Sequence, residues 1–255
     1  MNKSIILALG LAAGLCVTAP ALASTALAEY SQAGGDRIIV WTHGAGGSVL
    51  STAALTTGQT FNTYFTFQNP ALASVVNVRT LFTLSGVASD AATTSGNTLT
   101  QGGISGSFSF LYEGAAPLVV GGHTYLTGTN LLSGTFSGAN LSGQTGGSTG
   151  GLNDSVFGGG NVVFTSGIDP SQLSFATGGD EGLSLAFNAL NHGFSANPGS
   201  TVNSFKATTT GNFAADLSAG GGSGAPEPAS WALMMLGVGG IGVALRRRAK
   251  TLVAV

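Results

Sequence analysis

The stretch Phe61-Asn62-Thr63-Tyr64-Phe65-Thr66-Phe67-Gln68 decides the fold class, because its side chains alternate between two kinds. Its three phenylalanines occupy odd-numbered positions, and polar groups or a tyrosine hydroxyl occupy the even ones. Residues 104–113 and 183–190 alternate in the same way. Successive residues of a strand point to opposite faces, so this pattern predicts strands that are buried on one side and exposed on the other.

Further β-rich runs extend the pattern along the chain. They lie at residues 37–42, 75–87, 131–141, 161–165 and 202–217, and turn-forming Gly, Asn, Asp and Pro separate them. No amphipathic helix of ordinary length is expected between residues 29 and 217. Eight or more such strands predict two antiparallel sheets packed face to face, a jelly-roll-like β-sandwich. The alternative is a β-solenoid, because Gly and Thr recur between residues 121 and 151 without a clear period.

Composition indicates a folded domain with very little charge. All fourteen Phe lie between Phe61 and Phe213, which favours one buried core over a disordered stalk. Charged residues are 7% of the chain, against about 25% in an average soluble domain. Residues 29–225 hold nine carboxylates and three cations, a net charge of −6. Such a surface cannot neutralise a run of phosphates, so nucleic acid is excluded as a partner.

The N-terminus predicts a secretory signal peptide over residues 1–28. Lys3 gives the positive start, an apolar run of 13 residues follows, and small residues come next. Two A-x-A cleavage sites compete, Ala21-Leu22-Ala23 before Ser24 and Ala26-Leu27-Ala28 before Glu29. The second is preferred, because the first polar sequence begins at Glu29. The single cysteine, Cys16, lies in the apolar run, so the mature domain is predicted to have no thiol for disulfides or metal ligation.

The C-terminus has three parts in a fixed order. A Gly/Ser linker at 218–225 leads into Pro226-Glu227-Pro228 with Trp231 three residues later, and Arg246-Arg247-Arg248 closes the tail. Residues 229–245 carry no charge and would span about 25 Å as a helix. With tryptophan at one end and arginines at the other, the segment predicts a transmembrane helix with the domain outside and the arginines in the cytoplasm.

This tail, residues 226–255, resembles the PEP-CTERM sorting signal, in the variant with tryptophan three residues after the second proline. The resemblance implies processing by an exosortase, a membrane-embedded cysteine transpeptidase, in a Gram-negative bacterium that makes exopolysaccharide. It implies transient anchoring in the inner membrane and a final place at the cell surface or in the extracellular matrix. The sorting residues carried over are Pro226, Glu227, Pro228, Trp231, Arg246, Arg247 and Arg248. The resemblance says nothing about residues 29–217.

Candidate catalytic and metal sites in the domain are weak. Gly146-Gly147-Ser148-Thr149-Gly150 matches a hydrolase nucleophile elbow, but the required strand before it and helix after it are not expected. His43, His123 and His192 lie far apart in sequence. No catalytic residues and no cofactor are predicted. One calcium site remains an open alternative, with four candidate ligands: Asp154, Asp169, Asp180 and Glu181.

These observations predict a non-enzymatic surface or matrix protein, structural or adhesive in exopolysaccharide and biofilm. Its expected partners are the exosortase, the inner membrane, and either exopolysaccharide or further copies of itself. The alternatives are a secreted polysaccharide-active hydrolase and a module that binds calcium or glycan at a single site. Sugars stack on aromatic rings, and five are available: Trp41, Tyr30, Tyr64, Tyr112 and Tyr125.

Overall fold

The domain is built almost entirely of β-strands, which confirms the fold class predicted from the sequence. The computed structural model describes residues 25–44, 47–53, 62–155 and 161–218. The strands are β1 (Thr25–Gln32), β2 (Ile39–Thr42), β3 (Ser48–Thr52), β4 (Asn62–Phe67), β5 (Val78–Ala88), β6 (Thr93–Ser95), β7 (Thr98–Tyr112), β8 (Leu118–Val120), β9 (His123–Tyr125), β10 (Asn130–Gln144), β11 (Gly150–Ser155), β12 (Asn161–Thr165), β13 (Glu181–Asn188) and β14 (Phe205–Ala215). A 3-10 turn, Pro70–Leu72, follows β4.

Twelve strands form one antiparallel sheet, and β8 with β9 forms a separate hairpin. The order is β1-β4-β5-β3-β2-β14-β13-β11-β10-β7-β6, with β12 beside β10. Additional pairings of β1 with β14 and of β5 with β7 close the sheet on itself. The two layers of the predicted sandwich are therefore parts of one hydrogen-bonded sheet. A β-solenoid stacks its strands in parallel, whereas the strand pairs described here are antiparallel.

Two pairs of short strands share the space between β14 and β5. The first residues of β14 pair with β2 and its later residues pair with β1. In the same way β5 pairs with β4 near its start and with β3 near its end. The pair β1–β4 and the pair β2–β3 thus lie side by side along the longer strands. This arrangement brings β1, the first strand, against β14, the last.

The core is a cluster of aromatic rings between the two layers. The rings of Phe108 on β7 and Phe213 on β14 are 5.0 Å apart although their strands do not pair, which shows that the layers face each other. Tyr30 on β1 contacts Phe82 and Phe110 at 4.9 Å each. The alternation predicted in β4, β7 and β13 places their phenylalanines in this core. Burial of these rings is the main stabilising contribution.

The N-terminal boundary of the fold differs from the one expected. The sequence analysis assigns residues 1–28 to the signal peptide, whereas β1 begins at Thr25. Leu27 and Ala28 are both buried, each 1% exposed. A register shift between Ala26 and Ala28 turns two consecutive side chains inward, as a β-bulge does. Because two consecutive side chains face inward, the sequence of β1 lacks the regular alternation of apolar and polar residues that predicts a strand.

The C-terminal end of the domain is tied down as far as Ser218. Leu217 bridges to Phe175, and the backbone N–H of Ser218 donates to Ser174 at 2.9 Å. The predicted linker therefore begins at a residue that is still bonded to the domain. All described residues belong to one compact unit, Ala23–Gly224. The predicted transmembrane helix at 229–245 and residues 1–24 of the signal peptide lie outside the described residues. Among the described residues, no helix is apolar and long enough to cross a membrane.

Candidate functional site

An exposed tyrosine stands on the outer side of three adjacent strands, β14, β1 and β4. Strand β1 lies in the middle, and its outward residues align with those of both neighbours. Glu29 aligns with Asn212 on one side and with Thr66 on the other, and Ser31 aligns with Thr210 and Tyr64. We call these six residues the tyrosine face: Glu29, Ser31, Tyr64, Thr66, Thr210 and Asn212. Antiparallel pairing thus brings the two ends of the domain sequence into one surface.

The tyrosine face contains a shallow groove of about 330 Å³, which Asn77 also lines. Tyr64 is 40% exposed, so part of its side chain is accessible to a ligand. Asn77 has a left-handed backbone, with φ 54°, and its N–H donates to the Thr66 hydroxyl at 2.9 Å. Asparagine tolerates this conformation better than most residues. The turn before β5 therefore holds an amide side chain at the edge of the groove.

The polar groups of this face are available to a ligand. Within the described residues, the side chains of Ser31, Tyr64, Thr210 and Asn212 make no hydrogen bond to another protein group. The face carries one carboxylate, Glu29, and Arg79 on β5 aligns with Tyr64. An aromatic ring beside hydroxyl and amide groups suits a ligand that is itself flat and rich in hydroxyls.

Three of the five aromatic residues suggested for stacking are buried instead. Trp41 donates its indole N–H to the Val202 carbonyl at 2.8 Å, and Tyr112 donates to the Ala116 carbonyl at 2.6 Å. The Tyr30 hydroxyl lies 2.7 Å from that of Thr209, and burial raises the pKa of Tyr30 well above its usual value. Buried tyrosine and tryptophan usually satisfy their polar atoms in this way, so these three side chains belong to the core.

The remaining candidate, Tyr125, lies at a second and more open depression. The Tyr125 hydroxyl accepts a hydrogen bond from the Asp169 N–H at 2.9 Å. His123 and Asp169 approach each other at 3.8 Å across this depression. Hydrogen bonds from Ser171 to the Asp169 carboxylate lower the pKa of that carboxyl below its usual value. Because the Tyr125 hydroxyl is already bonded to the backbone, this site offers a ligand less than the tyrosine face does.

A second outer surface differs sharply from the tyrosine face. On β5, β7, β10 and β12 seven outward side chains are hydroxyls, and we call this set the hydroxyl face: Thr83, Ser85, Ser107, Ser109, Ser133, Thr135 and Thr165. Val87 and Val163 are exposed on the same strands. Thr83 lies 2.7 Å from Ser109, and Ser133 lies 2.8 Å from Thr165, oxygen to oxygen. These hydroxyls therefore hydrogen-bond to one another across the strands.

The four carboxylates considered for calcium do not share one place. Asp154 and Glu181 point into the sheet and are buried, and the Glu181 carboxylate accepts the N–H of Phe164. Burial raises the pKa of Glu181 above its usual value. Asp169 caps a turn, and the Asp180 N–H donates to Asp216 at 3.1 Å. No group of three His, Cys, Asp or Glu side chains able to hold a metal ion occurs in the part of the chain that the structure describes.

The histidines and the glycine-rich motif also occupy separate places. His43 Nδ1 lies 2.6 Å from the Thr201 hydroxyl, which lies 2.6 Å from that of Ser48, and His43 Nε2 is 3.4 Å from Ser200. Ser148 lies in the turn between β10 and β11, so its motif joins two strands. A nucleophile elbow joins a strand to a helix. The turn geometry thus differs from that of the hydrolase motif.

The sorting residues lie outside the described residues, but comparison with known families covers them. Residues 225–248 match the PEP-CTERM protein-sorting motif, and this segment contains the proline, tryptophan and arginine positions named above. The chain therefore carries a PEP-CTERM sorting signal, as its sequence predicts. The match supports an exported protein that is sorted by an exosortase. Neither a curated protein nor a solved structure matches the chain, and the central domain is unrecognised.

Proposed function

We propose that this chain is a cell-surface or extracellular-matrix protein of a Gram-negative bacterium, and that its β domain adheres to exopolysaccharide through the tyrosine face. The sorting motif at residues 225–248 supports the export route, with an exosortase and, transiently, the inner membrane as partners. The observation that carries the adhesive role is the exposed ring of Tyr64 beside Ser31, Thr210 and Asn212, whose polar groups have no protein partner in the described structure.

The expected ligand is a polysaccharide of low charge. Glu29 is the one carboxylate among the described residues that line the groove, and the lining contains no cation. A run of anionic sugars would meet this carboxylate inside the groove, because the neighbouring cation, Arg79, lies outside the groove lining. Binding of a neutral polysaccharide instead requires an aromatic surface together with hydrogen-bond donors and acceptors at fixed positions. The spacing of neighbouring strands, about 4.8 Å, fixes the distance between adjacent rows of such groups.

We further propose that the domain binds without catalysis. A glycosidase uses two carboxylates that flank the scissile bond, about 5–10 Å apart. The groove beside Tyr64 brings one carboxylate, Glu29, to the ligand within the described residues. Binding by a pre-formed, hydrogen-bonded sheet costs little conformational entropy. A rigid outer face is therefore suited to holding a polymer that many copies of the domain contact at once.

The test is co-sedimentation of the exported protein with insoluble exopolysaccharide from its own host. Tyr64→Ala is expected to weaken retention about tenfold, because the ring contributes most of the apolar contact. Thr165→Ala on the hydroxyl face is the matched control and is expected to change retention less than twofold. Equal retention of all three proteins would overturn the proposed face. Sugar release above background in a glycoside-hydrolase assay would overturn the non-catalytic role.

A further inference from the structure

The first strand contains one of the two candidate cleavage sites of the signal peptide. Cleavage after Ala28 would leave only Glu29–Gln32 of β1, the last four of its eight residues. The residues removed pair on both sides, since Ala26 aligns with Ala214 and Ala28 aligns with both Phe213 and Phe67. A strand in this position is not an expendable edge, because it closes the sheet between β14 and β4.

The side chains that this cleavage would remove belong to the core. Leu27 and Ala28 are each 1% exposed and lie in the same buried cluster as Tyr30 and Phe213. The Leu27 carbonyl also accepts the N–H of Gln68 at 2.8 Å, and the Thr25 hydroxyl donates to the Ala215 carbonyl at 3.1 Å. Loss of the strand would open a cavity of more than one side chain and leave buried backbone groups without partners.

From these contacts we infer that the precursor is cleaved between Ala23 and Ser24, and that the mature protein begins at Ser24. The sequence Ala21-Leu22-Ala23 supplies the small side chains that a signal peptidase requires at the first and third positions before the bond. Water hydrolyses the amide bond, so that Ala23 gains the new carboxylate and Ser24 the new amino group. Thr25 follows as the first residue of an intact β1.

A second reason is the accessibility of each candidate bond to the peptidase. Ala26, Leu27 and Ala28 belong to a strand that is paired on both sides once the domain folds. A peptidase binds its substrate in an extended form with free backbone groups. Once the sheet has closed, the bond after Ala28 is hidden, whereas the bond after Ala23 precedes the first described strand residue. The first site therefore stays compatible with cleavage both before and after folding. This inference rests on the proposed export of the chain.

The test uses the full chain in an exporting host and the intact mass of the processed protein. Cleavage after Ala23 predicts the mass of a chain whose first residue is Ser24. The mass of a chain whose first residue is Glu29 would overturn the inference but would leave the proposed export intact. Protein retained in the cytoplasm with Met1 attached would instead contradict the proposed export.

Two matched substitutions locate the site independently of the mass. Ala23→Gln places a large side chain next to the inferred bond and is expected to reduce processing at least about tenfold. Ala26→Gln places the same side chain at an exposed position of β1, three residues before the alternative bond, and is expected to leave processing unchanged. The reverse pattern would overturn the inference.

Deletion of residues 25–28 separates the role of the strand from that of the cleavage site. The deleted chain keeps Ala21-Leu22-Ala23 and Ser24, so it is expected to be cleaved normally and yet to unfold about 10 °C below the wild type. If the deleted protein is as stable as the wild type, residues 25–28 are not needed by the fold and the argument for the first site fails.

Discussion

The tyrosine face and the hydroxyl face are both made of outward side chains on antiparallel strands, but the hydrogen bonding of their polar side chains differs. On the hydroxyl face six of the seven hydroxyls, all but that of Thr135, bond to each other in pairs, as Thr83 does to Ser109 and Ser133 does to Thr165. On the tyrosine face Ser31 and Asn212 have no such partner among the described residues. A polar group that is already paired gains little from a ligand. Binding capacity is therefore set by what stands opposite each residue as well as by its type.

The largest effect is expected from overpacking the layer beneath the hydroxyl face. A Cβ at Gly106 would lie 2.0 Å from the Ser85 carbonyl oxygen and 2.8 Å from the Phe136 ring. Gly106→Ala must push β5 and β7 apart, so we expect a loss of about 3 kcal/mol in the free energy of unfolding. Urea titration measures this loss. Gly35→Ala, where a Cβ would have open space, is the control and should be close to neutral.

A second test compares two hydroxyl pairs with the same geometry and different burial. Thr63 and Thr80 lie 2.7 Å apart and are fully buried, whereas Thr83 and Ser109 lie 2.7 Å apart on the exposed hydroxyl face. Thr63→Val is expected to cost about 1 kcal/mol of unfolding free energy, because it removes the buried hydroxyl–hydroxyl bond and leaves the Thr80 hydroxyl only the longer bond to the Thr63 carbonyl. Thr83→Val should cost less than about 0.5 kcal/mol. Equal costs for the two variants would show that burial does not set the value of these pairs.

The amount of structure that the sequence reveals depends on how local the signal is. Alternation in β4 predicts that Phe65 and Phe67 point inward and Tyr64 outward, and the structure confirms it. Strand β1 was missed because its bulge buries Leu27 and Ala28 in succession within a stretch that also resembles a cleavage site. The neighbours of Tyr64 were missed for another reason. They depend on the register between strands from opposite ends of the domain, which no local pattern records.

The same limit applies to the aromatic candidates. Trp41 and Tyr30 look like surface platforms in the sequence, because tyrosine and tryptophan are common at binding sites. In the structure each finds a buried partner far along the chain, Val202 for Trp41 and Thr209 for Tyr30. Composition alone therefore cannot separate exposed rings from buried ones, and only the fold shows that Tyr64 is exposed.

A third test concerns a carboxylate that the fold buries instead of presenting. Because burial raises the pKa of Glu181, the folded protein holds its proton more tightly than the unfolded chain does. Stability from this group is complete below the ordinary glutamate pKa, about 4.3, and is lost as pH rises through the raised value. Glu181→Gln is expected to flatten this dependence while keeping an acceptor for the Phe164 N–H. Thermal midpoints measured from pH 4 upward check it, and an unchanged slope would contradict it.

The smallest effect is expected from the hydroxyl of Tyr64 itself. Tyr64→Phe keeps the exposed ring and removes one polar atom that has no protein partner in the described structure. Retention on exopolysaccharide should change within about threefold, against about tenfold for removal of the ring. A loss as large as that of Tyr64→Ala would assign recognition to the hydroxyl and would make the two faces more alike than we argue.

The pairing of β1 with β14 determines how much of the domain must be present before it can fold. Thr25 aligns with Ala215, so the sheet closes only when both ends of the domain are present together. Contacts between residues so distant in sequence form late and slowly. A chain that crosses the membrane from its N-terminus stays open until its last strand emerges. The sorting motif begins ten residues after β14 ends, at residue 225. For a chain that is exported from its N-terminus, closure of the sheet becomes possible only shortly before the sorting motif follows.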